Sequence, residues 1–260
     1  MTTRSRTHAW PAAFFLLLIW NPVFLRADEF DPSHRLYSHV LATRVKNGTV
    51  DYRGLQSDPG ELHSYLDQLA SVSEDRFRKW TRAEQQAFLI NLYNAATLRL
   101  IIDHYPVRSI KDIGGFLKGP WDQPVVRLFG RAVTLNHIEH GILRKEYGEP
   151  RVHFALVCAA KGCPPLRGVP YLAEKLEDQL EDQGRIFLKN RRKNYVDPKS
   201  RTVFLSPIFD WFEDDFTEKS GAVLAFVQPY FPKDDGRELL TRPHKIKYTY
   251  YDWTLNDSGK

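Results

Sequence analysis

Two short stretches of this 260-residue chain hold side chains able to do chemistry. The first is Glu139-His140, inside a segment whose apolar residues Ile138, Ile142, Leu143 and Tyr147 recur at helical spacing. Laid out at about 100° per residue, Glu139 falls within the apolar arc and His140 at its edge. A carboxylate on the buried side of a helix needs a partner, because an ion removed from water without one is costly. Two readings follow. One is a glutamate paired with a core arginine beside a histidine bonded to a backbone carbonyl. The other is a Glu/His pair at the floor of a cleft, where the carboxylate raises the imidazole pKa and orients the ring.

The second stretch runs from His153 through Cys158 to Cys163-Pro164-Pro165. Arg151–Cys158 is nearly continuous apolar sequence and is expected to be a strand covered on both faces. Alternation then puts His153 with Ala155 and Val157 on one face, and Cys158 with Phe154 and Leu156 on the other. A Cys158–His153 pair within that strand requires a bend, whereas Cys158 at the strand end can meet His140 from the preceding helix. The cysteines admit several readings: a Cys158–Cys163 disulfide, a Cys/His nucleophilic site in which a thiolate attacks and a histidine holds its proton, a zinc site completed by histidines, or inert buried thiols. The spacing matches no standard zinc pattern. Cys163 also fits the part of a resolving thiol in redox chemistry.

These residues need a scaffold. Thr81 with Glu84 is a capping box that opens a helix over about 82–104. Its apolar side chains fall on every sector, so it is expected to be buried in the middle of the fold. It nevertheless carries Asn91 and Asn94 one turn apart, and a buried amide without partners costs about 1–3 kcal/mol per unpaired group. The two must bond a loop, a polar neighbour or a ligand, and either is a candidate oxyanion donor. Helices are also expected over 33–47, 59–70, 137–147, 171–190, from Ser206-Pro207 through Phe216, and over 219–228. Residues 125–135 and 195–205 read as hairpins, and 244–251 as a half-buried strand with Ile246, Tyr248 and Tyr250 inward. No composition break divides the chain. One α+β domain over 28–260 is expected, with the central helix packed on a small mixed or antiparallel sheet.

Arg4 and Arg6, the apolar run Ala12–Ile19 and Ala27 before Asp28-Glu29 form the pattern of a secretory signal peptide over residues 1–27. The whole chain has 37 Lys+Arg against 32 Asp+Glu, a balance of +5. Without Arg4, Arg6 and Arg26 it is 34 against 32, or +2, which removes the compositional case for nucleic acid. The run is shorter than the ~20 residues of a span, so no membrane segment is expected in the mature chain. It is expected to be secreted or periplasmic. Gly114-Gly115 and Gly162 lack the strand–loop–helix setting of a phosphate cradle, so no nucleotide cofactor is expected. The Asp214-Asp215 pair reads as solvated, and His137 and His244 as surface residues.

Four motifs stand in order: Ala87-Phe-Leu-Ile-Asn91-Leu-Tyr-Asn94-Ala95, Leu135-Asn-His-Ile-Glu139-His140, His153 to Cys158 with Gly162-Cys163-Pro164, and Leu205-Ser-Pro-Ile-Phe-Asp-Trp211-Phe-Glu-Asp-Asp215-Phe216. Together they resemble the "domain of unknown function 547" family over about 51–216, with Tyr250–Asn256 similar to the family's C-terminal end. The resemblance implies an uncharacterised domain, common in exported bacterial proteins, with no settled activity. The family typically has Trp in place of Leu89 and Asn in place of Val157. The placement of the central helix is also similar, by analogy alone, to papain-like and transglutaminase-like folds, although those carry their cysteine at the start of that helix.

Two functions are expected to compete. One is a thiol-dependent hydrolase or acyl transferase with Cys158 as nucleophile, His140 as base, Glu139 as the orienting carboxylate, Asn91 or Asn94 as oxyanion donor, and His153 and Cys163 nearby. The other is a non-catalytic module whose cleft binds a small molecule, peptide or glycan, with Cys158 and Cys163 as a staple. Neither calls for a cofactor, zinc being the minor exception.

Overall fold

The capping box forms as expected: Thr81 N donates to Glu84 Oε2 at 2.7 Å, and Glu84 N to Thr81 Oγ1 at 3.3 Å. It opens the 23-residue helix Arg82–His104, along which nearly every side chain from Gln86 to Ile102 is buried. The computed structural model describes residues 30–115 and 118–259. The expected signal peptide, 1–27, lies outside the described residues.

Ahead of this central helix come α1 (Arg35–Arg44), the short strands β1 (Val45–Lys46) and β2 (Thr49–Val50), α2 (Tyr52–Ser57), α3 (Gly60–Ala70) and α4 (Glu74–Phe77), which makes the central helix α5. β1 and β2 pair across Asn47-Gly48, both with positive φ (53° and 80°). Next are the antiparallel pair β3 (Val126–Leu128) and β4 (Arg131–Val133), turning through Phe129-Gly130, and a wide helix His137–Tyr147 bonded in the π pattern. Then follow α6 (Val152–Ala155), α7 (Leu176–Leu188), β5 (Tyr195–Asp197), β6 (Thr202–Leu205), α8 (Ile208–Trp211), α9 (Glu213–Ser220), α10 (Val223–Val227), α11 (Lys233–Thr241) and β7 (Lys245–Tyr248). β5 runs antiparallel and β7 parallel to β6 in a three-stranded sheet.

The fold is α+β, as expected. α5 packs mainly on helices, α2, α3 and the wide helix, and on β3. The three-stranded sheet serves a second apolar cluster rich in phenylalanine: Phe154, Phe187, Phe209, Phe216 and Phe226. The two clusters meet along residues 152–160. Val152, Ala155 to Val157 and Ala159 belong to the α5 cluster, while Phe154 and Ala160 belong to the other. That seam carries the site.

Four local expectations need correction. Residues 151–158 are not a strand: Val152–Ala155 close a helical turn, with Leu156 N donating to Val152 O at 2.9 Å, before the chain extends. An unbroken apolar run reports burial on all sides, which a helical turn satisfies as well as a strand. The helix expected through Phe216 breaks at Phe212 into α8 and α9. The helix expected over 219–228 begins only at Val223, because Gly221 (φ 77°) ends α9. The strand expected over 244–251 stops at Tyr248, where β7, paired among the described residues with β6 alone, ends at the edge of its sheet, and Tyr250 beyond it is 86% exposed. Among the described residues, no helix is long and apolar enough to cross a membrane.

Candidate functional site

The α6 turn fixes His153, whose side chain is 1% exposed. Its Nε2 donates to Asp215 Oδ2 at 2.7 Å, and Phe212 stacks on the ring with centroids 3.9 Å apart. Asp215, in the first turn of α9, also accepts two bonds from Arg144, from Nε at 2.7 Å and Nη2 at 2.9 Å. Burial alone raises the Asp215 pKa, but the bonds from His153 and Arg144 outweigh it and hold the carboxyl well below the usual range. Asp215 is therefore ionised. The expectation of a solvated Asp214-Asp215 pair fails at Asp215.

Glu139 and His140 sit in the first turn of the wide helix. Glu139, its side chain 12% exposed, accepts from the Tyr93 hydroxyl through Oε2 at 2.9 Å; its Oε1 lies 4.0 Å from His153 Nδ1. Burial first, and then the charge of Glu139, push the Tyr93 hydroxyl pKa far up, so Tyr93 stays a donor. Arg144 Nη1 donates to His140 Nδ1 at 3.1 Å, and an arginine cannot accept, so that nitrogen carries no proton. Wide helices of this kind recur at functional sites, where the extra residue per turn re-aims side chains.

Cys158 and Cys163 form a disulfide, with Cα atoms 6.1 Å apart. The Cys158 amide donates to Cys163 Sγ at 2.8 Å. The Tyr251 hydroxyl lies 3.1 Å from Cys158 Sγ and donates to Cys163 Sγ at 3.4 Å. Among the described residues, no histidine nitrogen bonds Cys158 Sγ. Residues after Tyr251 bind the loop behind the sulfurs: Gly162 N donates to Asp252 O and Lys161 N to Thr254 O, both at 2.8 Å, and Asn256 N donates to Ala159 O at 3.0 Å. Gly162 permits this approach, since a Cβ there would lie 2.8 Å from the Tyr251 ring.

The acid–imidazole groups and the sulfurs line one open cleft of about 220 Å³. Glu139, His140, His153, Cys158 and Cys163 all reach it. Its remaining walls are largely aromatic, with ring centroids 4.8 Å apart for Trp211 and Tyr251, 4.6 Å for Tyr251 and Trp253, and 5.9 Å for Trp253 and Trp121. Asn91 and Asn94 do not line it. Asn91 pairs with both backbone groups of Tyr171 (2.7 and 2.9 Å), and Asn94 bridges Ala155 O (2.9 Å) and Val157 N (3.0 Å). Asn94 thus positions the chain that enters Cys158. With the sulfurs bonded to each other, neither is a thiolate ligand for zinc. Among the described residues, no cluster of three or more His, Cys, Asp or Glu side chains is arranged to hold a metal ion.

Sequence reasoning had no local route to Tyr93, Arg144 and Asp215 as partners. Trp211, Tyr251 and Trp253 carried a usable sign in the aromatic density of the two C-terminal motifs. Residues 77–188 match the model of the family described as "Protein of unknown function, DUF547". No curated protein and no solved structure matches the chain.

Proposed function

We propose, for a chain whose residues 77–188 match the DUF547 family model, that the aromatic cleft is a binding site for a peptide or glycan and that the Cys158–Cys163 bond is its staple. One observation carries this reading. The Cys158 sulfur is bonded to Cys163 and its polar neighbour is the Tyr251 hydroxyl, so no thiolate–imidazole pair stands ready in the resting protein. The cross-link instead stiffens the loop to which residues 251–256 are bonded, and so helps hold Tyr251 and Trp253 in the wall. Trp211 is 46% exposed at the rim, where a large aromatic contributes contact area to a ligand.

The same reading has the chain exported, to the periplasm or outside the cell. The disulfide supports it, since such bonds persist in oxidising compartments, and so does the pattern of residues 1–27.

A second reading is favoured by the convergence of Glu139, His140 and His153 with both sulfurs in one cleft. In this reading an external dithiol keeps the pair reduced, so that the protein as purified carries free thiols and Cys158 serves as nucleophile of a hydrolase or acyl transferase. His140, whose Nδ1 accepts from Arg144, has Nε2 left to take the thiol proton. Thiol titration of protein purified without reductant separates the two. The binding reading expects no free thiol and ligand-dependent tryptophan fluorescence with the disulfide intact. A free Cys158 thiol lost selectively to iodoacetamide near neutral pH overturns it in favour of the second reading.

A further inference from the structure

Resting on the binding reading, we infer that the cleft takes an organic cation: the protonated amine of a lysine side chain or of a peptide N-terminus, seated with its ammonium on Glu139 and its apolar stem laid against the aromatic wall at the exposed Trp211 ring.

The charges around the cleft point to this ligand. Among the described residues that line it, Glu139 is the one carboxylate, and no lysine or arginine is present. The neighbouring acid, Asp215, has its counter-ion in Arg144, bound through two nitrogens, and a further donor in His153 Nε2. Glu139 has no such match. Its bonded partner is the neutral Tyr93 hydroxyl on Oε2, while Oε1 lies 4.0 Å from His153 Nδ1, beyond hydrogen-bond length. A carboxylate that is largely out of water and held by one neutral donor is a ready seat for a positive charge, because a cation arriving there meets an acceptor already desolvated.

The walls fit the same class. The faces of tryptophan and tyrosine attract cations through the ring quadrupole. The protein uses this interaction twice beside the cleft: Lys111 Nζ lies 3.8 Å from the Trp253 ring centroid and Arg144 Cζ 4.8 Å from that of Phe212. The apolar ring surfaces also suit the methylene stem of a lysine. A glycan needs a spread of donors and acceptors for its hydroxyls, and here the polar groups are few and several are engaged. Tyr251 faces the sulfurs, and Asn136 donates to Asp122 Oδ1 at 2.7 Å. At about 220 Å³ the cleft is smaller than the ~300–1,000 Å³ usual for whole-ligand pockets, so it is sized for one side chain or chain end.

The test uses the purified protein with its disulfide intact, and three probes followed by tryptophan fluorescence and calorimetry: N-acetyl-lysine methylamide, the same compound acetylated on its side-chain nitrogen, and the neutral disaccharide cellobiose. The lysine amide is expected to bind, to weaken with rising salt, and to lose at least tenfold in affinity on side-chain acetylation. Glu139→Gln, which keeps the size of the side chain and its acceptor for Tyr93, is expected to cost a similar factor at unchanged thermal stability. Trp211→Ala, at the exposed rim, is expected to weaken binding severalfold and serves as the check if the Glu139 variant folds poorly. Equal or tighter binding of the acetylated probe or of cellobiose, or wild-type affinity in Glu139→Gln, overturns the cation assignment while the binding reading stands. Failure of all three probes overturns both.

Discussion

Two regions of this molecule bury polar side chains, and they do so on opposite terms. On α5, Asn91 and Asn94 are 0% and 1% exposed, and each amide answers a matched pair of backbone groups. At the cleft, Glu139 is mostly hidden, its side chain 12% exposed, but has one neutral donor on Oε2 and no hydrogen bond on Oε1. The α5 amides complete the fold: each replaces water for a peptide that would otherwise be stranded. The cleft carboxylate is tolerated by the fold without a matched partner for its second oxygen. Burial of a polar group is therefore no guide to function by itself; the guide is whether its hydrogen-bonding capacity is already matched.

The contrast is open to experiment. Asn94→Ala should give the largest loss, about 2–4 kcal/mol, since it strands the Ala155 carbonyl and the Val157 amide at once. Urea unfolding measures it, and an unshifted midpoint would break the comparison on the α5 side. Asp215→Asn should cost about 1.5–3 kcal/mol at neutral pH through its charge-assisted bonds. Because the folded pKa of Asp215 lies below its unfolded value of about 3.9, this stabilisation is fully present above about pH 5 and fades as pH falls toward the folded value. The gap between wild type and variant should accordingly close in acid, and a gap that widens below pH 4 would contradict the assigned ion pair.

Replacing both Cys158 and Cys163 with serine should lower stability by about 2 kcal/mol, the loop-closure value for so short a ring. It should also loosen the loop bonded to residues 251–256, readable as faster amide exchange at Gly162 and Asn256. The smallest effect is expected at the cleft itself. Glu139→Gln should change unfolding free energy by no more than about 0.5 kcal/mol. A large loss there would mean that Glu139 belongs with the α5 amides after all.

The sequence announces some of this and conceals the rest, for physical reasons. α5 is legible to its ends because a capping box is local and all-round apolarity has only one explanation at that length. The hairpins at 126–133 and 195–205 are legible through their turn residues. Glu139 keeps its expected place although the helix is wider than assumed, since the angular error accumulates slowly and Glu139 stands near the start. The α6 turn is concealed because an apolar run records burial without recording pitch. The His153–Asp215 bond joins residues 62 positions apart, and no periodicity reaches that far. The aromatic wall shows in the sequence as aromatic density but not as a wall, because Trp211, Tyr251 and Trp253 are brought to Cys158 by tertiary pairing alone.

The strand-like pairing between residues 159–162 and 252–256 has a practical consequence. A recombinant fragment cut to the boundaries 77–188 would keep Glu139, His140, His153 and both cysteines, yet lack Asp215, Trp211, Tyr251 and Trp253. It would also lack Tyr52 and Asn256, which bond each other at 2.7 Å and tie α2 to the C-terminal segment. Binding assays run on such a fragment would examine half a pocket whose charged floor stands open to water. The meaningful experimental unit reaches from the first helix to the final aromatic segment.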